Sequence, residues 1–408
     1  MIKHFMGMRV VAVFIFAFAI TVFYSPVFSD EFEDMMAGEM GEFDSQKQEF
    51  QSYQEQIASE FGEYKKIVDQ EFKKYKKEIL EHWDKPEVTG KKKFVEYSPD
   101  FKTKKVVDYE NETIELNIIV PKGESQKKIN KRIDNQLSDL LTENSKTAYN
   151  RDQLTQNIEK KLDKNVKNLK KSIVKGVPII ADALIGTATP IKQQVDSTVK
   201  KLRQTEKKTQ KLAPKTADSE VVTVKIKLPS GTMAKKAGTY LNTVKKYAKK
   251  RKIDPALLLA VMQTESAFNP MARSYVPAYG LMQIVPRSAG LDASEFVFGK
   301  QKLLSPSYLY NGENNIRMGA AYLYILNYRY LKSIKNDTSR LYCVIAAYNT
   351  GAGNVARAFT GKTNIRKAAK KINAMSPEKV YKHLLRKLPH AETKHYVKNV
   401  RSRIKLYK

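Results

Sequence analysis

Phe50, Phe61, Phe72 and Trp83 stand eleven residues apart, and so do Tyr53, Tyr64 and Tyr75, and Ile57, Val68 and Ile79. Eleven residues fill three turns at about 3.67 residues each, so one apolar stripe runs nearly straight along a single long helix. The same stretch changes from acidic (Glu31, Glu33, Asp34, Glu39) to basic (Lys73, Lys74, Lys76, Lys77). A stripe of this kind needs cover. A packed face against the rest of the chain is the reading preferred, and a partner or membrane surface is the alternative. Pro86 ends the pattern, which places a long amphipathic helix over 30–86.

Ahead of it, Lys3, His4 and Arg9 precede an apolar run from Val10 to Phe23 broken by Thr21, and a small residue, Ser29, stands before Asp30. The run is shorter than the roughly 20 residues of a spanning helix, so 1–29 reads as a cleavable export signal, with an uncleaved anchor as the other reading. The expected location is the periplasm, with membrane association if the segment stays. The net charge of +30 favours an anionic polymer or membrane surface as partner. For an exported chain that means cell wall or lipid and no nucleic acid. Cys343 is the single cysteine, set in an apolar helical stretch. It reads as structural, without a disulfide framework or thiolate metal site, and no cysteine near Ser29 offers a lipid attachment point.

Residues 87–230 show strand character at Phe94–Tyr97, Lys105–Tyr109, Thr113–Val120 and Val221–Leu228, with Asn111-Glu112 as a hairpin turn. Gln126 to about Lys211 reads as Lys-rich helix with an apolar patch from Val177 to Ile185. The segment is expected to be a basic α+β domain without a catalytic constellation. From 231 to 408 the pattern is helical throughout, with candidates at 234–251, 254–266, 313–333, 339–348, 376–388 and 391–406. The whole is therefore α+β: a long N-terminal helix, a smaller α+β domain and an all-helical C-terminal domain.

Asp254-Pro255 is a helix start, the Asp capping free N–H groups and the Pro fitting the first turn. In the apolar helix that follows, Glu265 comes seven residues after Leu258, four after Val261 and three after Met262. Its carboxyl therefore lies on or beside the buried stripe. Apolar surroundings disfavour the charged form and keep a proton available near neutral pH, as a general acid at a glycosidic bond requires. A Glu near a helix end is more often a solvated or capping residue, so the spacing alone does not decide.

The neighbouring motifs are Glu265-Ser-Ala-Phe-Asn-Pro270, Ser274, Gly280-Leu-Met-Gln-Ile284, Asn315-Ile-Arg-Met-Gly319-Ala-Ala-Tyr-Leu323, Ala346-Ala-Tyr-Asn-Thr-Gly-Ala-Gly353 and Glu392-Thr-Lys-His-Tyr-Val397. This ordered set resembles the catalytic domain of lytic transglycosylases of the soluble-transglycosylase type, over roughly 237–408. The preceding region, with its aromatic-basic helix, Lys91–Tyr97 and Val106–Glu112, resembles the N-terminal part of a membrane-bound lipoprotein of that family; the absence of a lipid-bearing cysteine departs from it.

The resemblance implies a lysozyme-like helical fold and cleavage of the β-1,4 bond between N-acetylmuramic acid and N-acetylglucosamine in peptidoglycan, leaving a 1,6-anhydromuramic end. Glu265 would be the one acid/base, with Tyr348 beside it in support of the transition state. Ser274, Met282, Gln283, Asn349, Glu392 and Tyr396 would line the glycan cleft. Core packing is an almost equal reading for Met282, plain core tyrosine a rival for Tyr348, and surface charge a rival for Glu392. Asn315 and Gly319 read as a helix contact beneath the cleft. No metal or cofactor is indicated. The rival functions are a lysozyme-like hydrolase, which needs a second carboxylate to activate water, and a non-catalytic wall-binding protein. Contact of the basic 87–230 domain with anionic wall or membrane is expected from its charge alone.

Overall fold

A computed structural model describes residues 27–212, 215 and 218–408. The expected export signal lies outside them except for Val27–Ser29, which belong to the first helix, α1 (Val27–Leu80). Ile57, Phe61, Tyr64, Val68, Phe72 and Ile79 are all buried, so the eleven-residue stripe is an internal packing face along its described length; the side chains of Phe50 and Tyr53 lie outside the described residues. The helix ends at Leu80, six residues before Pro86, and the chain turns through Trp83, whose indole N–H donates to the Phe101 carbonyl (2.8 Å). No helix of the described residues is long and apolar enough to cross a membrane.

Strands β1 (Lys93–Tyr97), β2 (Thr103–Asp108) and β3 (Thr113–Pro121) form an antiparallel meander. The Asp108 carboxylate closes the second hairpin by accepting from the N–H groups of Glu110 (3.1 Å) and Asn111 (2.9 Å). Helices α2 (Gln126–Thr142), α3 (Ser145–Arg151) and α4 (Gln153–Asn165) follow, then the short β4 (Leu169–Lys170), α5 (Ala181–Leu184) and α6 (Lys192–Arg203). Strands β5 (Glu206–Leu212) and β6 (Ser219–Lys227) complete a five-stranded sheet of order β1-β2-β3-β6-β5.

The Lys-rich end of the segment expected to be helical is thus a strand from Glu206. Its charged side chains suit an edge strand, and pairing with β6 outweighs a weak local preference. α1 packs against α4, and the Lys161 ammonium pairs with the buried carboxylate of Glu71 (2.6 Å).

The remainder is helical: α7 (Thr232–Gly238), α8 (Leu241–Arg251), α9 (Pro255–Ser266), α10 (Ala289–Phe298), the two-residue β7 (Leu303–Leu304), α11 (Pro306–Tyr310), α12 (Gly312–Ile325), α13 (Asp337–Thr350), α14 (Ala352–Thr360), α15 (Ile365–Asn373), α16 (Pro377–Lys387) and α17 (Ala391–Ile404). A π-helical turn, Leu326–Tyr330, continues α12. The stretch expected as one helix from 234 to 251 breaks between α7 and α8. β7 pairs in parallel with β4, and α9 packs against α8 and α17.

Candidate active site

Helix α9 starts as its sequence dictates: the Asp254 side chain accepts from the Ala256 N–H (2.8 Å) and Pro255 occupies the first turn. Leu257 to Met262 are buried, and so are Thr264, Glu265 and Ser266 at its end. Burying Leu258, Val261 and Met262 contributes roughly 1.5–3 kcal/mol each, which fixes the face that carries Glu265. Beyond the helix, Ala267 and Phe268 take left-handed backbone conformations (φ 47° and 63°). The Ser266 hydroxyl steadies that turn, accepting from the Phe268 N–H (3.1 Å) and donating to the Leu281 carbonyl (2.8 Å).

Glu265 is 6% exposed. Burial pushes its pKa up to about 7, opposed by the charge of Lys91 and by the Tyr396 hydroxyl, reinforced by Glu392 and opposed again by Lys92. The side chain therefore holds a proton near neutrality because its anion is poorly solvated. Tyr348 and Tyr396 both feel the Glu265 charge, and burial first and that charge second hold their phenols protonated. The Tyr348 hydroxyl donates to the Met282 carbonyl (2.9 Å).

The turn carrying Met282 and Gln283 is held from below by one side chain. Asn315 accepts from the Met282 N–H (2.8 Å) and donates to the carbonyls of Tyr279 (2.8 Å) and Leu309 (2.9 Å). Gly280 has φ +73°, and a Cβ there would lie 2.3 Å from the Leu309 carbonyl oxygen, so only glycine fits. Gly319 leaves room for Met282, whose sulfur would lie 2.1 Å from an added Cβ. Gln283 is itself at φ 47°. Its amide nitrogen donates to the Gly280 carbonyl (3.0 Å), while its Oε1 is buried without a partner.

Glu265, Tyr348, Gln283, Glu392 and Tyr396 thus converge from four parts of the helical region. Met282 is fully buried, its thioether against Gly319 and its backbone serving Tyr348 and Asn315. The Ser274 hydroxyl is engaged with the Val276 carbonyl. Asn349 accepts from the Thr393 hydroxyl (2.7 Å), tying α13 to α17. Cys343 is buried, and burial alone pushes its thiol up.

Sequence reasoning missed Lys91, Lys92 and Arg273. Lys91 pairs with Glu392 (3.3 Å). Arg273 is buried, pairs with Asp152 (2.8 Å) and lies over the Phe72 ring. Lysines in a basic run and an arginine in a loop carry no sequence signal that their two segments meet.

A separate cavity of about 730 Å³ lies between β1 and α2–α4, lined by Tyr97, Glu96, Glu143 and Arg151 among others. Its charges neutralise one another, Lys105 and Arg151 both pairing with Glu96 (2.6 Å each). Among the described residues no cluster of three or more His, Cys, Asp or Glu could hold a metal ion.

Residues 242–372 match the family model described as Transglycosylase SLT domain. The chain is similar to the membrane-bound lytic murein transglycosylase C of Klebsiella pneumoniae subsp. pneumoniae, 45% identical over 188 residues that make up 46% of this chain and 51% of the relative. It is similar also to the protein of that name from Serratia proteamaculans, 44% identical over 199 residues, 48% of this chain and 55% of the relative. The chain spans about half the length of the curated relatives it matches. Among solved structures, the 70 kDa soluble lytic transglycosylase of Escherichia coli is 26% identical, with 44% of this chain and 26% of that chain covered and a TM-score of 0.32.

Proposed function

We propose, starting from the transglycosylase SLT domain that residues 242–372 carry, that this chain cleaves peptidoglycan glycan strands between N-acetylmuramic acid and N-acetylglucosamine. The observation that carries the reading is Glu265, a carboxyl held protonated near pH 7 by burial and flanked by two phenols. Glu265 donates its proton to the bridging oxygen as the C1–O bond of the muramic sugar breaks, and positive charge develops at C1. The resulting carboxylate takes the proton of that sugar's C6 hydroxyl while O6 bonds to C1. The product is a 1,6-anhydro end, and no water is consumed. An internal nucleophile needs no second carboxylate and gains from its fixed proximity.

The acid that acts most strongly on Glu265 is Glu392, which is 72% exposed and held by Lys91; this favours ring closure over activated water. Tyr348, anchored by Met282, and Tyr396 stand beside the charge that appears on Glu265. The unpartnered Gln283 Oε1 is an acceptor for a glycan N–H or O–H, and Ser274, Asn349 and Glu392 are the further glycan contacts of this reading. Mass analysis of digested wall tests the chemistry. Fragments lighter by one water than reducing-end fragments are expected, and reducing ends alone would establish a hydrolase.

The same reading places the chain in the cell envelope, exported and membrane-associated, with the basic 87–230 region against anionic wall or lipid. Pelleting with insoluble wall is then expected to weaken between low and roughly 0.5 M salt. Salt-independent pelleting would remove the electrostatic role.

A further inference from the structure

The segment Thr89–Lys92 lies upstream of the matched domain, yet it is fastened to the loop that follows Glu265. The Gly90 carbonyl accepts from the Arg273 N–H (3.3 Å) and the Asn269 side-chain amide (3.3 Å), and the Lys91 carbonyl lies within reach of the same amide (3.4 Å). The Arg273 guanidinium donates to the Thr89 carbonyl (3.4 Å). Thr89 closes the segment on itself, its hydroxyl donating to the Val95 carbonyl (2.9 Å) and accepting from the Val95 N–H (3.0 Å). These bonds use the backbone of the segment and the Thr89 hydroxyl, and none of them engages a lysine side chain. Lys92 pairs with Glu110. Lys91 pairs with Glu392 at the start of α17, while its side chain stays 40% exposed.

We propose that Lys91 is a positioning residue of the catalytic site, its ammonium stabilising the Glu265 carboxylate that proton donation leaves behind. The inference rests on the glycan-cleaving reading above. Glu265 is walled from water, so its anion must be balanced by fixed charge. The groups facing it are Lys91 and Lys92 from the segment before β1, Glu392 and Tyr396 from α17, and Tyr348 from α13. Lys91 is the strongest of the charges, and it opposes the upward push of burial. Glu392 works against it, both directly and by holding the same ammonium. The matched domain therefore lacks one charge that its own acid uses, and the upstream region supplies it.

The test is the pH profile of glycan release from insoluble wall by the full chain. The basic limb follows ionisation of Glu265. Lys91→Met keeps the backbone tether and removes the charge, so the limb is expected to move to higher pH by roughly 0.5 unit. That is less than the shift of about 1–3 units for close unscreened pairs, because Lys91 is partly exposed. Lys91→Arg should restore the parent profile, and Glu392→Gln should move the limb to lower pH. Raising salt on the unaltered chain should move its limb toward that of Lys91→Met, a reading that needs no variant. An unshifted limb in Lys91→Met, in a parent whose activity depends on Glu265, overturns the role of Lys91. A parent that releases no anhydro-ended fragments overturns the underlying reading instead.

Discussion

Glu265→Gln is expected to lower glycan release by about 10³-fold or more, since the amide neither donates nor takes up the proton on which both halves of the reaction turn. The same change should make the protein more stable at alkaline pH. In the folded chain the Glu265 pKa is raised to about 7 from an ordinary 4.5, so the folded state binds the proton more tightly than the unfolded one. Below pH 4.5 both states are protonated and the group is neutral in effect. Between pH 4.5 and 7 the unfolded chain gives up this proton while the folded chain keeps it, so stability falls across that window by about 3 kcal/mol and is level above it. Glutamine does not titrate, so the melting temperatures of variant and parent should coincide at low pH, draw apart between pH 4.5 and 7, and stay apart above that. Equal melting at pH 8 would show that Glu265 is well solvated and remove the basis for its raised pKa. A variant that still clears wall at the parental rate would end its assignment as the acid.

Asn315→Ala is expected to be the most damaging change outside the reacting groups. It takes from the buried Met282 N–H and Leu309 carbonyl the partner that Asn315 gives them, while the Tyr279 carbonyl keeps the Ile284 N–H (3.2 Å). At about 1–3 kcal/mol for each stranded group, the loss comes to several kcal/mol. The fall in melting temperature should be roughly 5 °C or more. Activity should drop even well below the melting point, because the turn that Asn315 holds carries both Gln283 and the carbonyl anchoring Tyr348. Asn315→Asp should not rescue it: an ionised carboxylate keeps the acceptor for Met282 but loses both donors. A melting loss under about 1 kcal/mol would mean that the turn is held by something else.

The parts of this fold that local rules govern were legible in advance. The eleven-residue stripe shows as a buried face because its period is that of a helix. The Asp254-Pro255 start and the Asn111 turn follow from capping and turn chemistry. Glu265, Tyr348 and Tyr396 could be named because ordered motifs surround them, and the structure brings them together. The misses share one cause. Glu206–Leu212 has no strand pattern of its own and becomes one by pairing with β6. Helix α14, bounded by Gly351 and Gly361 with φ of 84° and 70°, buries only Val355, Ala356 and Phe359, too short a face to stand out. Lys91 reads as one more lysine in a basic run; its place beside Glu265 depends on Asn269 and Arg273, almost two hundred residues away in the chain.

The clamp between Thr89–Lys92 and the loop after α9 has a kinetic consequence. Glu265 is enclosed by groups from residues 91, 348 and 396, so its surroundings form only when chain segments about three hundred residues apart have met. Contacts of that span are entropically slow to make. Helices α9 and α13 can form early from local interactions, but the full electrostatic environment of the acid must come late. During refolding, recovery of cleavage should therefore lag behind recovery of helical signal, so that the protein is helical before it is competent.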